Sequence, residues 1–139
     1  IVADHDIKPW LGTISIDTAA FDIVALMERG HYRFYDRVFG NDKDYWKSVS
    51  PQHILEKPQQ PLLAICSTQR KDNSCEAAEV FARKALMAGM RVEVLKVDLS
   101  HKEANTELGR GIAYTEKVES FMKGLDDSVE KLLRNEKTQ

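Results

Sequence analysis

His101 stands shortly after the apolar run that ends at Val97, within the stretch VDLSHKEANTELG. A histidine that only packs needs no such place. A histidine that moves protons does, because a strand end is where a side chain is released into a cleft. In open α/β sheets, ligands bind at the carboxyl ends of the strands, so the residues after each apolar run are the ones that could do chemistry. After the first run come Asp17, Thr18 and Asp22. After the second come Ser67, Thr68, Arg70, Lys71 and Asp72. After the third come Asp98, Ser100, His101 and Glu103. An acid after one strand and a histidine after its successor suit the two orienting members of a hydrolytic triad. The carboxylate holds the imidazole tautomer, and the imidazole takes a proton from a nucleophile. Ser100 adjoins His101 in the chain, and adjacent residues rarely face each other in the geometry that attack requires. Arg70 could hold an anion, but an arginine in such a loop is expected to be solvated. His5, His31, His53 and His101 show no HxxxH or HxH spacing, so no metal is expected.

The elements that must position these groups can be read from the periodicity. LGTISID (11–17) and RVEVLKVD (91–98) read as strands. PLLAICS (61–67) is a continuous apolar run, as in a parallel strand covered on both faces. FDIVALMERG (21–30) and HYRFYDRVFG (31–40) read as short helices stopped by Gly30 and Gly40. Residues 41–60, cut by Pro51 and Pro58, read as a polar connector with one helical turn near Tyr45 and Trp46. A helix is expected over 74–88, started by an Asn73–Glu76 capping box and stopped by a left-handed Gly89. HKEANTEL reads as a short helix. The longest helix spans 114–133, with Val118, Phe121, Met122, Leu125, Val129, Leu132 and Leu133 on one stripe. Strands joined through helices run parallel. The fold class is therefore α/β, a three-layer sandwich with a small, mainly parallel sheet. An exposed edge of so small a sheet invites self-association or a missing strand.

Bulk properties set the outer limits. The 139 residues suit one domain, 1–139, with a single core. Hydrophobic residues make up 42% and charged residues 30%, and the net charge is −2. With no basic stripe, nucleic acid is not an expected partner. No apolar run approaches the roughly 20 residues that span a bilayer, and the start IVADHDIKPW is no signal peptide. A soluble protein is expected, with the cytoplasm favoured. Cys66 and Cys75 are too few for a disulfide framework or a metal site, and two reduced thiols are expected. A nucleophilic Cys75 at a helix start is the minor alternative. The chain starts without Met, inside what reads as a helix-to-strand connection, and is expected to be part of a longer protein.

The ordered set of segments resembles the C-terminal part of the α/β-hydrolase superfamily, of the esterase, lipase and arylformamidase-like kind. The matching string is PLLAICS, the loop CSTQRKDNSC, the helix EAAEVFARKALMAGM, the strand RVEVLKVD, the histidine in LSHKEANTELG and the closing helix YTEKVESFM. Upstream, LGTISIDTAAFDI resembles the strand after the nucleophile-bearing helix, and HYRFYDRVFG…YWKSVSP the linker before the acid-bearing strand. The resemblance implies a serine hydrolase acting on a small ester or amide, without cofactor, with His101 as triad histidine. It implies Asp72 as triad acid, since the family carries its acid in the loop after that strand. Asp17 is the second choice, because related folds take the acid from the preceding strand. Tyr32, Phe34, Tyr35 and Phe39 either line an acyl or aryl pocket or pack a lid helix. The sequence departs from the family in lacking GxSxG, the nucleophile turn, so this chain alone is expected to be inactive. The reading from another class is a non-catalytic flavodoxin-like or receiver-like domain that binds or signals through Asp17.

Overall fold

The computed structural model describes residues 10–135, so His5 and the reading of the chain's first residues lie outside the described part. Three strands, β1 (Thr13–Ile16), β2 (Leu62–Ser67) and β3 (Val92–Val97), form one sheet in the order β1-β2-β3. Both pairings are parallel. Ile16 stands opposite Ile65, and Ser67 opposite Val97, so all three carboxyl ends finish at one rim. Four short helices connect β1 to β2: α1 (Ile23–Glu28), α2 (Arg33–Phe39), α3 (Lys43–Val49) and α4 (Pro51–Ile54). One long helix, α5 (Ser74–Met87), connects β2 to β3. Then follow α6 (His101–Thr106), α7 (Ala113–Lys123) and α8 (Asp127–Asn135).

The apolar run of β2 is buried at every position, as the central strand of a three-layer stack must be. Leu62, Ala64 and Cys66 face Ala78, Phe81, Ala82 and Ala85 of α5. Leu63 and Ile65 point the other way, toward Val118 and Phe121 of α7. A third cluster, Ile23, Leu26, Met27 and Trp46, joins α1 to α3 beside the sheet. The outer side of β3 carries Glu93 and Lys96, engaged by Arg91 and Glu79. Charges of this kind guard an edge strand. Among the described residues, β1 is paired on one side only. No helix among them is long and apolar enough to cross a membrane.

Several local expectations are revised. The stretch 41–60 holds two helices. Asp42 caps α3 by accepting from the amides of Asp44 and Tyr45, and Pro51 opens α4, where its missing N–H costs nothing. The stretch 114–133 is two helices. Gly124 ends α7, where its carbonyl accepts from Arg91 Nη1 at 2.7 Å. A Cβ there would lie 3.1 Å from that guanidinium. Asp126 then accepts from the Ser128 amide at 2.8 Å and starts a new turn. Asn73 makes no capping box: it adopts a left-handed φ of 55° and its side chain caps nothing. Gly89, at φ 79°, ends α5 as its left-handed stop requires.

The cysteines are not two reduced thiols. Cys66, the fifth residue of β2, is bonded to Cys75, the second residue of α5. The loop between them doubles back and leaves the two Cα atoms 5.0 Å apart, within bridging range. The bond consumes Cys75, which is therefore no nucleophile. Closing a loop with a sequence separation of 9 restricts the unfolded chain. Reduction is therefore expected to lower the unfolding free energy by about 2–3 kcal/mol. Urea denaturation with and without dithiothreitol measures this; superimposable curves would show that the bridge contributes nothing.

Candidate functional site

The rim where the strands end is organised by Asp17, the residue immediately after β1. Its amide donates to Ile65 O at 2.8 Å, which continues the sheet by one bond. It then takes a φ of 53°, which a short polar side chain tolerates better than most. The carboxylate is fully buried. Oδ1 accepts from the Ser67 amide at 2.8 Å and from the Ser74 hydroxyl at 2.9 Å. Oδ2 accepts from His101 Nδ1 at 2.8 Å and from Arg70 Nη1 at 3.3 Å. Four donors on two oxygens use essentially the whole accepting capacity of a carboxylate. Burial alone pushes the Asp17 carboxyl up. The Ser67 amide, His101, Ser74 and the charge of Arg70 outweigh it and hold the group below the ordinary aspartate range.

His101 is the first residue of α6, and its place is fixed by a capping box that the sequence reading had not identified. Ser100 Oγ accepts from the Glu103 amide at 3.3 Å, and Glu103 Oε2 accepts from the Ser100 amide at 2.8 Å. One residue later, the imidazole is directed back over the end of β2. Behind it, Ala104 is buried, and Tyr114 donates to Ala104 O at 2.8 Å, which pins α6 to α7. An ionised carboxylate can only accept, so Nδ1 carries a proton, and in the neutral ring the lone pair is then on Nε2. No hydrogen bond among the described residues engages Nε2. The ring is 61% exposed and lines a cavity of about 810 Å³, with Thr18, Tyr32, Tyr35 and Lys71 among the other walls.

Asp72, expected to stand beside His101, does not. Its two oxygens take Arg70, with Nε at 2.8 Å from Oδ1 and Nη2 on Oδ2. Asp72 lies five residues past the end of β2, in the loop that leads into α5, and its carboxylate is taken up by Arg70. Asp17 is the first residue past β1, and the parallel register sets it beside the ends of β2 and β3. Arg70 is likewise not solvated: its side chain is 17% exposed, and beyond Asp72 its Nη1 donates to Asp17 O at 2.5 Å. Asp98 accepts from Gln69 and Thr68, and Ser100 and Glu103 are spent in the cap. Ser67 joins the two loops by donating to Leu99 O at 2.6 Å.

The aromatic segment divides. Tyr32 and Tyr35 line the cavity, Phe39 packs with the α1–α3 cluster, and Phe34 is 66% exposed. Next to Tyr32, His31 meets acceptors at both ring nitrogens, Arg29 O at 2.9 Å and Asp36 Oδ1 at 2.8 Å. Two acceptors require two protons, and the Asp36 carboxylate foremost raises the His31 pKa. His53 contacts Asp22 at 3.2 Å, away from the cavity. Among the described residues no three His, Cys, Asp or Glu side chains are grouped to hold a metal. No family model matches the chain, and no curated protein or solved structure matches it either. The chemistry therefore has to be argued from the arrangement itself.

Removing the central carboxylate leaves the buried Ser67 amide and His101 Nδ1 without their acceptor and the Ser74 hydroxyl with only Ser67 O, while Arg70 keeps Asp72. Asp17→Ala is expected to destabilise the fold by about 3–5 kcal/mol at neutral pH, read by urea denaturation. The folded carboxyl titrates below its unfolded value of about 3.9. Its contribution is therefore complete above that pH and is lost as pH falls through the lower folded value. The gap between wild type and Asp17→Ala should close in acid; a constant gap down to pH 2 would contradict this account of Asp17.

Proposed function

We propose that this chain is the C-terminal part of a serine hydrolase of the α/β-hydrolase type, contributing the acid and the base of its triad. Asp17 is the acid and His101 the base. The serine comes from residues outside this sequence, which contains no GxSxG. The observation that carries the reading is the 2.8 Å contact of His101 Nδ1 with the buried Asp17 carboxylate, on a ring whose Nε2 is unengaged.

In this mechanism, Nε2 removes the serine proton as the serine oxygen attacks an ester or amide carbonyl. It then gives that proton to the leaving alkoxide or amine. Asp17 keeps the proton on Nδ1, so that Nε2 is the basic nitrogen, and its charge stabilises the imidazolium as it forms. A further feature supports the reading. The strands lie in sequential order and run parallel, which places the acid after one strand and the histidine two strands on. A receiver-like use of Asp17 is not favoured, because that role needs an open carboxylate and this one is fully buried by donors.

Turnover of p-nitrophenyl acetate by the full-length protein tests the proposal. His101→Ala and Asp17→Asn should each lower kcat by about 10³–10⁴-fold, the first through loss of the base and the second through the wrong tautomer. Wild-type turnover in His101→Ala would overturn the assignment. Failure of the wild-type protein to react with a fluorophosphonate would overturn the serine-hydrolase class.

A further inference from the structure

A guanidinium beside a catalytic imidazole poses a problem. Arg70 Nη1 lies 3.5 Å from His101 Nδ1. Both atoms carry protons, so this is an approach of two donors and not a hydrogen bond. Arg70 also shares the oxygen of Asp17 that holds the ring. On its own, such an arginine would neutralise the carboxylate and oppose protonation of the ring, which is the event a general base must undergo.

Asp72 supplies the missing charge. It takes the Nε and Nη2 side of the guanidinium, the bidentate geometry that suits a carboxylate, and leaves Nη1 for Asp17. Two carboxylates then flank one guanidinium, so one negative charge faces the neutral imidazole and is cancelled when the ring accepts a proton. We propose that Arg70 and Asp72 are a positioning pair. Arg70 fixes Asp17 through both its main-chain carbonyl and its Oδ2, and Asp72 offsets the charge that this costs His101.

The surroundings leave this balance to these residues. On α6 itself, Glu103 is bound to Ser100, and Lys102 is exposed. From the β3 end, Asp98 is held by Gln69 and Thr68. From α7, Tyr114 bonds Ala104 O. The cavity is also lined by Tyr32, Tyr35 and Lys71, of which Lys71 is the charged group and is exposed. In its catalytic sense the inference rests on the hydrolase reading, but its electrostatic core can be measured without turnover.

The experiment is an NMR titration of the His101 imidazole in the full-length protein and its variants. Arg70→Gln should raise the titration midpoint by about one pH unit, and Asp72→Asn should lower it by a similar amount. The Arg70→Gln/Asp72→Asn double variant should return close to wild type, as should Arg70→Lys, which keeps the charge and loses the fork. Single changes that move the midpoint in the same direction, or not at all, overturn the proposal. Should Arg70→Gln fail to fold, the downward shift of Asp72→Asn decides alone. In kinetics, the acid limb of kcat/KM should follow the same shifts, while Arg70→Lys lowers kcat about tenfold with little change in KM because Asp17 is less firmly oriented. Midpoints that shift as stated in a protein without esterase activity would retain the electrostatic pairing and remove the hydrolase reading. Immobile midpoints in an active esterase would do the reverse.

Discussion

Burial of the Asp17 carboxylate is the constraint around which the rim of the sheet is built. An ionised carboxyl taken out of water costs several kcal/mol unless its lone pairs are met. Here they are met by donors from Ser67 at the end of β2, Ser74 at the start of α5, Arg70 in the loop between them, and His101 at the start of α6. None of these groups is adjacent to Asp17 in sequence. The nearest is 50 residues away and His101 is 84 away. Each loop conformation therefore has to be held independently before the carboxylate can be satisfied, and once it is satisfied, it holds them all together.

The means of holding each loop can be named. Cys66 and Cys75 bracket the segment that contains Ser67, Arg70, Asp72 and Ser74, so the bridge fixes both ends of the loop that surrounds the acid. Arg70 and Asp72 brace its interior. The Ser67 hydroxyl ties that loop to Leu99, in the approach to α6, and the Ser100–Glu103 box sets where α6 begins. With parallel strands in register, a residue one step past β1 and a residue four steps past β3 can meet over the end of β2. Asp72, five steps past β2, does not join them, because its carboxylate is held by Arg70.

Much of this frame was legible in the residues. The continuous apolar run of β2, the stripe of α5, the glycine stop at Gly89 and the emergence of His101 beside a strand end follow from local patterns, and local patterns are what periodicity reports. What failed was the pairing of distant groups. Asp17 and Asp72 look alike in sequence; only the folded arrangement shows the first beside His101 and the second turned to the far side of Arg70. The disulfide was missed for a related reason. Two cysteines nine residues apart bridge only if the loop returns on itself, and that return is fixed by contacts with Asp17. The split of the last long helix was missed because the apolar stripe continues through Gly124, while the break depends on Arg91 from β3's approach.

The cavity is built by two structures that are anchored differently. Its floor, with Asp17, Ser67, Arg70 and His101, grows from the strand ends and shares the main core. Its opposite wall, with Tyr32 and Tyr35, belongs to a small cluster of α1, α2 and α3, whose internal ties are local: Trp46 donates to Phe39 O at 3.0 Å, and the buried Ser50 hydroxyl bridges Ile23 N and Trp46 O. Changes that repack this cluster can move the tyrosines without disturbing the donors on Asp17. Changes at Arg70 or Ser74, in the β2–α5 segment, remove donors from Asp17 directly. Within one cavity, the side that grows from the strand ends is therefore the more constrained one, and the aromatic side is tied to a separate cluster.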